Sequence, residues 1–359
     1  MNNYGGHGSK SLGMYGRSDL LEVNTGLTTE AGSPSDMEHH DKANGTELAE
    51  RRVLFMGLPR SGKSSILSVV FENMLPYNII GILPTQERTV YHMVTGIAVY
   101  DFPGIDDYAE TQYSSAVDPA VYAGNTTALV YVVDSQGDIQ GSLATLFTIM
   151  RVAQAVNERL PIHIFIHKVD GLSEELKQDI QQDIQQRVLK NMGYENLNSA
   201  FMNFHRTTIF DESVREALSR VVQRLVPRYS SLENILNSFS TKSGLDKVFL
   251  FDIGTKVYLS MDSSPSEPQL YMFSCQTIDA MEDLAELCAR DLVFNVDDDE
   301  MLMQKTLVGL DSNTKIFIYQ VNSYLALLCV GSAHLFRQMS LLEFNSSKVA
   351  KAIREILTS

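Results

Sequence analysis

One eight-residue stretch constrains the fold of this chain more than any other. Residues 57–64 read Gly-Leu-Pro-Arg-Ser-Gly-Lys-Ser, after an apolar run at 53–56 and before a helix-like segment. The pattern GxxxxGK[ST] is typical of a phosphate-binding loop, whose backbone N–H groups converge on phosphates at a helix N-terminus. The glycines allow backbone angles and close approaches that a side chain would block. A Gly-rich turn with a chance lysine explains the stretch less well, because the flanking strand and helix are also predicted.

The loop predicts roles for its own residues. Lys63 should reach the β- and γ-phosphates and stabilise charge during catalysis, and the Ser64 hydroxyl should complete a Mg²⁺ shell. The other nucleotide-binding residues predicted in this segment are Gly57, Arg60, Ser61, Gly62 and Ser65. The loop alone leaves the base and the reaction open.

A buried strand is predicted at residues 97–102 and runs into Pro103-Gly104. Residues 101–104 therefore read Asp-Phe-Pro-Gly. Asp101 at the end of this strand would hold Mg²⁺, and the backbone N–H of Gly104 would sense the γ-phosphate during catalysis. The DxxG pattern is common by chance. Here, however, the DxxG pattern lies about forty residues after a phosphate-binding loop and on the next apolar strand. In that position the pattern indicates a nucleotide switch.

The polar loop at residues 84–89 lies between these two motifs and offers a further oxygen ligand. We expect Thr85 to contact the nucleotide and Mg²⁺ when the γ-phosphate is present. Thr89 is the less favoured candidate because it should begin the next strand. A loop threonine with no ligand role is the alternative.

The choice of base is predicted by residues 167–170, His-Lys-Val-Asp, which follow an apolar strand at 161–166. The Asp170 carboxylate can accept hydrogen bonds from both N1–H and N2–H₂ of guanine, a donor pair that adenine lacks. The stem of Lys168 should lie over the nucleotide. The remaining residues predicted to bind the nucleotide are His167, Thr208 and Ile209.

Apolar runs alternate with helix-like stretches over residues 51–227, which predicts a doubly wound, mainly parallel α/β sheet with its ligand at the strand C-termini. Residues 1–50 are rich in Gly, Ser, Asn and acidic residues, so we expect a disordered tail in which His39-His40 is solvated. Residues 230–359 combine helices with antiparallel strands, including a hairpin at 316–330, and show no catalytic constellation. This part is expected to be an interaction domain.

The net charge of −15 argues against nucleic-acid binding and against attachment to anionic lipid by a basic patch. Three cysteines without a CxxC pair support neither a disulfide framework nor a zinc site, and Cys288 and Cys329 are expected in the core. The acidic run at 297–300 lacks the spacing of an EF-hand loop. No apolar run approaches the roughly 18 residues of a membrane span, and no leader or lipidation signal is evident, so we expect no direct membrane insertion.

The order of these motifs resembles that of Ras-like GTPases. The sequence HKVDGL at 167–172, with His where most GTPases have Asn, is similar to the RagC/RagD subclass of Rag GTPases, as are DFPG at 101–104, VDS at 133–135 and LVP at 225–227. The resemblance covers about residues 51–359. It implies a Ras-like GTPase domain at 51–227 and a smaller α+β roadblock-type domain at 230–359.

The resemblance also implies a function. A RagC/RagD-type subunit would bind GTP or GDP with Mg²⁺ and pair, through its C-terminal domain, with a RagA/RagB-type GTPase. The heterodimer would relay amino-acid availability to TOR complex 1 at the lysosomal or vacuolar membrane, on a scaffold complex that supplies the anchor. A GTPase-activating protein would complete its hydrolysis.

Two departures from related GTPases predict slow hydrolysis. Ile105 stands where a water-orienting Gln is frequent, and Ile cannot position a water; Gln112 is a weak substitute. His167 lacks the amide by which Asn usually contacts the base and braces the phosphate loop. The rival interpretation is a structural subunit that holds nucleotide without cycling. A P-loop kinase is disfavoured because HKVD has no use there.

Overall fold

The computed structural model describes residues 51–79, 81–105, 118–124, 126–195, 197–265, 267–291 and 305–358. The strands of the first half are β1 (Arg51–Gly57), β2 (Thr89–His92), β3 (Ile97–Asp101), β4 (Thr127–Asp134), β5 (Ile162–His167) and β6 (Met202–Thr207). Its helices are α1 (Lys63–Phe71), α2 (Ile139–Val156), α3 (Glu174–Glu195) and α4 (Ser213–Val222).

These strands form one sheet in the order β2-β3-β1-β4-β5-β6. Strand β2 runs antiparallel to β3, and the other pairs are parallel. Side chains of α1 and α4 pack on one face of the sheet, and those of α2 and α3 pack on the other. The continuous apolar strands are buried on both faces because helices cover both. The predicted doubly wound, mainly parallel sheet is confirmed.

The second half contains a smaller antiparallel sheet with helices on both faces. Its elements are α5 (Tyr229–Ser243), β7 (Lys247–Asp252), β8 (Tyr258–Met261), α6 (Pro268–Asp291), β9 (Lys305–Gly309), β10 (Thr314–Gln320), β11 (Leu325–Ser332) and α7 (Met339–Thr358). The strand order is β8-β7-β11-β10-β9. Side chains of α5 and α7 pack on one face and those of α6 on the other, which confirms the α+β prediction for this half.

One apolar cluster runs without interruption from the first sheet to the second. It joins side chains of α1, α4, β1, β3 and β4 to side chains of α5, β7, β8, β11 and α7. Residues 48–359 accordingly form one compact unit. The boundary expected near residues 227–230 falls between α4 and α5 and stays a prediction.

Polar contacts add to this shared core. The Tyr258 N–H donates to Ser219 Oγ at 3.0 Å, which ties β8 to α4. Asn73, just after α1, donates through Nδ2 to the Gly254 carbonyl at 3.1 Å and accepts at Oδ1 from Lys256 Nζ at 3.2 Å. The end of the helix that begins in the phosphate-binding loop therefore contacts the turn between β7 and β8.

Two helices differ from their predicted course. The four-residue apolar repeat from Leu172 predicts one helix, but α3 begins at Glu174 and leaves Leu176 largely exposed. Its buried side starts further along, at Ile184 and Val188. The helix after the phosphate-binding loop is expected to continue to Pro76, whereas α1 ends at Phe71.

Several sequence predictions lie outside the described residues: the tail at 1–50 with His39-His40, Gln112, the acidic run at 297–300 and the side chain of Cys288. Cys329 is buried, as predicted. Within the described ranges, none of the helices has the length and apolar character needed to cross a membrane.

Candidate nucleotide-binding site

The phosphate-binding loop connects β1 to α1, and its last glycine is held in a conformation that requires glycine. Gly62 has φ of 104°, in the left-handed region, and a Cβ there would lie 2.5 Å from His167 Cδ2. The chain enters α1 directly afterwards, so the first helical N–H groups of Lys63 and Ser64 face the loop. This is the arrangement that binds phosphate at a helix N-terminus.

Lys63 lies almost fully buried inside the loop. Its Nζ donates to the carbonyl oxygens of Gly57 at 3.1 Å and Leu58 at 3.0 Å. Burial lowers the pKa of Lys63 to about 8, and the nearby Asp101 carboxylate opposes that shift. Phosphate oxygens beside this ammonium group would favour its charged form.

Three oxygen-bearing side chains from separate segments meet beside Lys63. Ser64 Oγ donates to Asp101 Oδ2 at 2.7 Å, and Thr85 Oγ1 donates to the same oxygen at 2.9 Å. The two hydroxyl oxygens lie 2.5 Å apart. Thr89 instead begins β2 and pairs with Asp101 in the strand register, so Thr85 is the threonine that joins the cluster.

The Asp101 carboxylate has spare capacity for a ligand. Its Oδ1 is buried and has no hydrogen-bond partner among the described residues. Burial raises the pKa of Asp101, although the hydrogen bonds from Ser64 and Thr85 oppose the shift. A hard cation would stabilise the carboxylate, and two hydroxyls with a carboxylate are the oxygen donors that Mg²⁺ accepts. The donor set therefore fits Mg²⁺.

The DxxG segment packs directly on the phosphate-binding loop. A Cβ at Gly104 would lie 2.5 Å from both the N and Cα of Pro59, so this contact tolerates only glycine. The next side chain, Ile105, is 5% exposed and belongs to the apolar cluster with Phe102 and Tyr122. The Gly104 backbone therefore contacts the loop, whereas the Ile105 side chain is buried in the core.

His167 braces the loop by contact instead of by an amide. Its Nδ1 shares a hydrogen bond of 3.0 Å with Thr207 Oγ1, and its Cδ2 edge lies against Gly62. Burial, with the nearby Lys168 charge, lowers the pKa of His167 to about 4, so the ring is neutral near pH 7. His167 lacks the amide that Asn would offer at this position, and its ring packs against Gly62 where an amide would supply hydrogen bonds.

Lys168 links the segment at 167–170 to the phosphate-binding loop. Its Nζ donates to the Arg60 carbonyl at 2.7 Å and pairs with Asp134 Oδ2 at 2.6 Å. Gln136 Nε2 donates to the carbonyls of Lys168 at 2.7 Å and Asp170 at 3.2 Å. The Lys168 ammonium group is therefore fixed, and its stem extends across the site.

Asp170 is oriented by a residue that follows the next strand. Its Oδ1 accepts from Thr208 Oγ1 at 2.7 Å, and the Thr208 N–H donates to Ser213 Oγ at 3.0 Å. Ile209 packs against the apolar core. The carboxylate is held at one oxygen, which leaves the other oxygen for a donor pair.

A cavity of about 840 Å³ lies over these elements. Its lining combines the phosphate-binding loop, the segment from 79 to 85, the DxxG glycine and Lys168: Pro59, Arg60, Gly62, Lys63, Ser64, Ser65, Ile79, Ile82, Leu83, Pro84, Thr85, Gly104 and Lys168. The predicted site residues outside this lining are Gly57, Ser61, Asp101, His167, Asp170, Thr208 and Ile209.

Sequence reasoning misses two kinds of residue here. The apolar side chains of Ile79, Ile82, Leu83 and Pro84 carry no motif, so nothing in the sequence marks them as cavity lining. Asp134 and Gln136 hold Lys168. A signal for them exists, because Asp134 closes a continuous apolar strand whose carboxyl end lies at the ligand edge of the sheet.

Fold and site together define a P-loop nucleotide-binding protein. Residues 52–281 match the family described as the Gtr1/RagA G protein conserved region. The chain is 36% identical over 315 residues to the GTP-binding protein gtr2 of Schizosaccharomyces pombe, covering 87% of this chain and 99% of the relative. It is 33% identical over 318 residues to the Ras-related GTP-binding protein C of Homo sapiens, covering 87% of this chain and 78% of the relative.

A solved Roadblock/LC7 domain from Streptomyces avermitilis is similar at a TM-score of 0.28 and 12% identity, over 35% of this chain and 98% of that chain. The family match and the relatives decide the assignment: this chain belongs to the Rag/Gtr family of GTP-binding proteins. The predicted resemblance is confirmed, and the protein is a Rag-type GTPase that binds guanine nucleotide.

Proposed function

We propose that this protein is a slowly hydrolysing guanine-nucleotide switch and one subunit of a heterodimer with a RagA/RagB-type GTPase. The observation that carries the proposal is the cluster of Ser64, Thr85 and Asp101, with oxygens within 2.9 Å of one another. It joins the phosphate-binding loop, the Thr85 loop and the DxxG strand through one point. A γ-phosphate and its cation at that point would hold all three segments together.

The reaction is attack of water on the γ-phosphate of GTP. Mg²⁺, when bound by Ser64, Thr85 and Asp101, supplies positive charge to the phosphates. Lys63 stabilises charge on the β- and γ-phosphates, and the Gly104 N–H contacts the γ-phosphate. The proposed remaining nucleotide contacts are Gly57, Arg60, Ser61, Gly62, Ser65, His167, Lys168, Asp170, Thr208 and Ile209.

Slow intrinsic turnover is supported by the burial of Ile105. A side chain that packs in the core offers no hydrogen bond to an attacking water, so positioning of the water would depend on another group. A GTPase-activating partner would supply it. The same feature favours the rival, a nucleotide-bound subunit that never cycles, whereas the intact set of Lys63, Ser64, Asp101 and Asp170 favours a switch.

Pairing through the second half is supported by apolar side chains left exposed on its two largest helices. Leu284 and Leu287 on α6 are 57% and 58% exposed, and Leu341 and Phe344 on α7 are 56% and 60% exposed. The two side chains of each pair lie about one turn apart on their helix, and neighbouring exposed apolar groups are a feature of surfaces that another protein covers. The partner we propose is a RagA/RagB-type GTPase.

The cellular role we propose is the one that the family resemblance implies. The heterodimer would relay amino-acid availability to TOR complex 1, bound peripherally at the lysosomal or vacuolar membrane through a scaffold complex. Membership of the Rag/Gtr family supports this role.

The first test is native mass spectrometry of the chain co-expressed with a RagA-type partner, followed by release and identification of the bound nucleotide. A 1:1 heterodimer that carries GDP or GTP is the expected result. A nucleotide-free monomer would remove both the switch and the pairing. Single-turnover hydrolysis then separates the two candidates, because no loss of GTP with activating partners present would leave only the structural subunit.

Base choice has a sharper test at Asp170. Since Thr208 holds Oδ1, Asp170→Asn should keep that hydrogen bond and present an amide N–H₂ where the carboxylate accepted. We expect GTP affinity to fall by at least about tenfold while xanthosine triphosphate affinity rises, measured by nucleotide competition. Asp179→Asn on α3 is exposed and makes the same charge change; it should leave both affinities unaltered. Unchanged GTP affinity for Asp170→Asn would remove the role given to Asp170.

A further inference from the structure

A second cavity, of about 750 Å³, lies between strands β5 and β6 and helix α4. None of its lining residues lines the nucleotide cavity. Its polar lining includes side chains from the sheet and from the end of α4, namely His163, Asn203, His205, Arg220, Gln223 and Arg224, and the Glu216 carboxylate also lines it. His163 is near the amino end of β5, whereas the nucleotide site gathers at the carboxyl ends of the strands, so the two cavities are separate.

Several polar groups of this lining have no protein partner. His163 is 1% exposed, and its Nε2 makes no hydrogen bond with any described residue. The amide nitrogens Nδ2 of Asn203 and Nε2 of Gln223 are buried and also without a partner in the described ranges. Buried polar atoms are normally hydrogen-bonded, so three unpartnered nitrogens behind the wall of one cavity are spare donors that a side-chain rotation would turn toward a ligand.

The proton shared by the two histidines decides whether His163 Nε2 is a donor. His163 Nδ1 and His205 Nε2 are 3.1 Å apart, and the rings stack with centroids 5.3 Å apart. One of these nitrogens must carry the shared proton. When His205 Nε2 donates it, the neutral His163 ring carries its own proton on Nε2, the atom without a partner.

Both histidines are neutral near pH 7. Burial, with the charges of His205 and Arg224, lowers the pKa of His163 well below its usual value. Burial and the charge of Arg220 lower the pKa of His205 to about 4. The positive charge at the cavity therefore resides on arginine.

The arginines at the rim are unequal. Arg220 pairs with Glu216 at 2.8 Å, and Arg206, which also lines the cavity, pairs with Glu174 at 3.4 Å. Arg224 forms no ion pair with any residue that the structure describes. One guanidinium group is thus left to match a negative charge at the mouth of the cavity.

We propose that this cavity binds a small oxyanion, the carboxylate or phosphate group of a small molecule. Arg224 supplies the opposite charge at the mouth, and His163, Asn203 and Gln223 supply hydrogen-bond donors once their side chains rotate into the cavity. A metal cation is disfavoured because arginine guanidinium groups line the rim and cannot be deprotonated. A phosphate or carboxylate group matches charge-assisted donors of this kind.

The test uses the full chain loaded with Mg²⁺ and a non-hydrolysable GTP analogue, so that the phosphate-binding loop is occupied. Sodium phosphate and sodium acetate are titrated separately at an ionic strength held constant with sodium chloride. The readout is the imidazole ¹H–¹⁵N resonances of His163 and His205. Arg224→Gln is compared with Arg337→Gln, which removes the same charge from an exposed position in the second half.

We expect saturable shifts of both imidazoles in the unmodified chain and in Arg337→Gln, with about tenfold weaker binding in Arg224→Gln. Shifts with phosphate alone would identify a phosphorylated ligand, and shifts with both anions would show that a carboxylate suffices. Absence of saturable shifts with either anion would overturn the proposal. Equal affinity in the two variants would also overturn it. Arg224 is exposed, so its replacement should leave the fold intact.

Discussion

Lys63 shows how a single buried charge connects the fold to ligand affinity. Its ammonium group is held by two carbonyls of its own loop and is poorly solvated, which lowers its pKa to about 8. Phosphate charges should raise that pKa again when nucleotide binds. The residue should therefore take up a proton on binding between a pH of about 8 and the higher pKa of the complex.

This linkage predicts a pH dependence with a definite sign. Because phosphate should make the pKa of Lys63 higher in the complex than in the free protein, the gain in affinity is complete below about 8 and is lost progressively as pH rises from that value to the higher pKa of the complex. We expect the Kd for GDP to be level from about pH 7 to 8 and to rise by up to about tenfold by pH 9. Calorimetry in buffers of different ionisation enthalpy measures both affinity and proton uptake. A Kd that stays constant from pH 7 to 9, with no proton uptake, would contradict the predicted linkage to Lys63.

Ile105 gives a second prediction for a single residue. Because its side chain is 5% exposed within the apolar core, Ile105→Gln should bury an amide and lower the free energy of unfolding by about 1–3 kcal/mol. It should not accelerate single-turnover hydrolysis, since the amide would not reach the nucleotide cavity. Ile105→Val, the control, should lose about 0.5–1.5 kcal/mol. Urea unfolding measures the stability of both variants, and a single-turnover assay measures their GTP hydrolysis. Tenfold faster hydrolysis by Ile105→Gln would contradict the prediction, because the side chain would then have turned toward the nucleotide cavity.

The site residues can be predicted where chain order alone implies geometry. Parallel strands bring their carboxyl ends to one edge of the sheet, so the phosphate-binding loop, Asp101 and Asp170 can be placed together from the sequence. Thr85 is preferred over Thr89 because Thr89 fits a strand, and the structure places them accordingly. The contact of His167 with Gly62 depends on tertiary packing between distant segments, which no local pattern specifies.

At the scale of elements, the contact between the DxxG segment and the phosphate-binding loop is made by backbone against backbone. Gly104→Ala would place a methyl carbon 2.5 Å from the Pro59 backbone. We expect one of the two segments to shift, and affinity for a GTP analogue to fall more than affinity for GDP, because the segment serves the γ-phosphate. Stopped-flow release of fluorescent nucleotides measures this difference.

A glycine on α3 provides the matched control. A Cβ added at Gly193 would have no atom within 4 Å, and the residue lies inside the helix. Gly193→Ala should therefore leave nucleotide affinity unaltered and add up to about 1 kcal/mol of stability. Equal effects of the two substitutions on nucleotide release would remove the steric explanation for Gly104.

Buried strands are easier to predict from the sequence than exposed ones. The central strands of the first sheet are continuous apolar runs covered on both faces, and β4 and β5 are recognisable in the sequence for that reason. The edge strand β9 is short and alternates exposed and half-buried residues, so the sequence pattern does not predict it. The amphipathic repeat predicts α3, but the preceding Leu172 belongs to the loop before the helix because a regular spacing does not mark a helix start.

At the scale of the whole molecule, the shared apolar cluster makes the two sheets one cooperative unit. Unfolding the first half would expose side chains of α5, α7 and the second sheet to water, so the halves should unfold together. We therefore predict that GDP binding slows hydrogen exchange of the most protected amides in β7 and β11 as much as those in β1 and β4. At a ligand concentration of about 1,000 times Kd, the expected slowing corresponds to about 4 kcal/mol.

Mass-spectrometric hydrogen exchange, with and without GDP, measures this protection in both sheets at once. Protection confined to the first sheet would show that the halves are separate folding units, with a boundary near the predicted residues 227–230.

The contact of Asn73 with Gly254 and Lys256 connects the end of α1 to the second sheet. If the helix moves as a rigid body, its two ends are coupled: one end is formed by Lys63 and Ser64, which we propose to contact phosphate, and the residues after the other end contact the second sheet. Nine residues make a helix about 13 Å long, so a tilt of roughly 5° at the phosphate end moves the far end by about 1 Å. A displacement of that size is enough to break a hydrogen bond. We therefore expect a nucleotide-dependent tilt of α1 to change the hydrogen bonds of Asn73 with Gly254 and Lys256, at a place distant from the nucleotide itself.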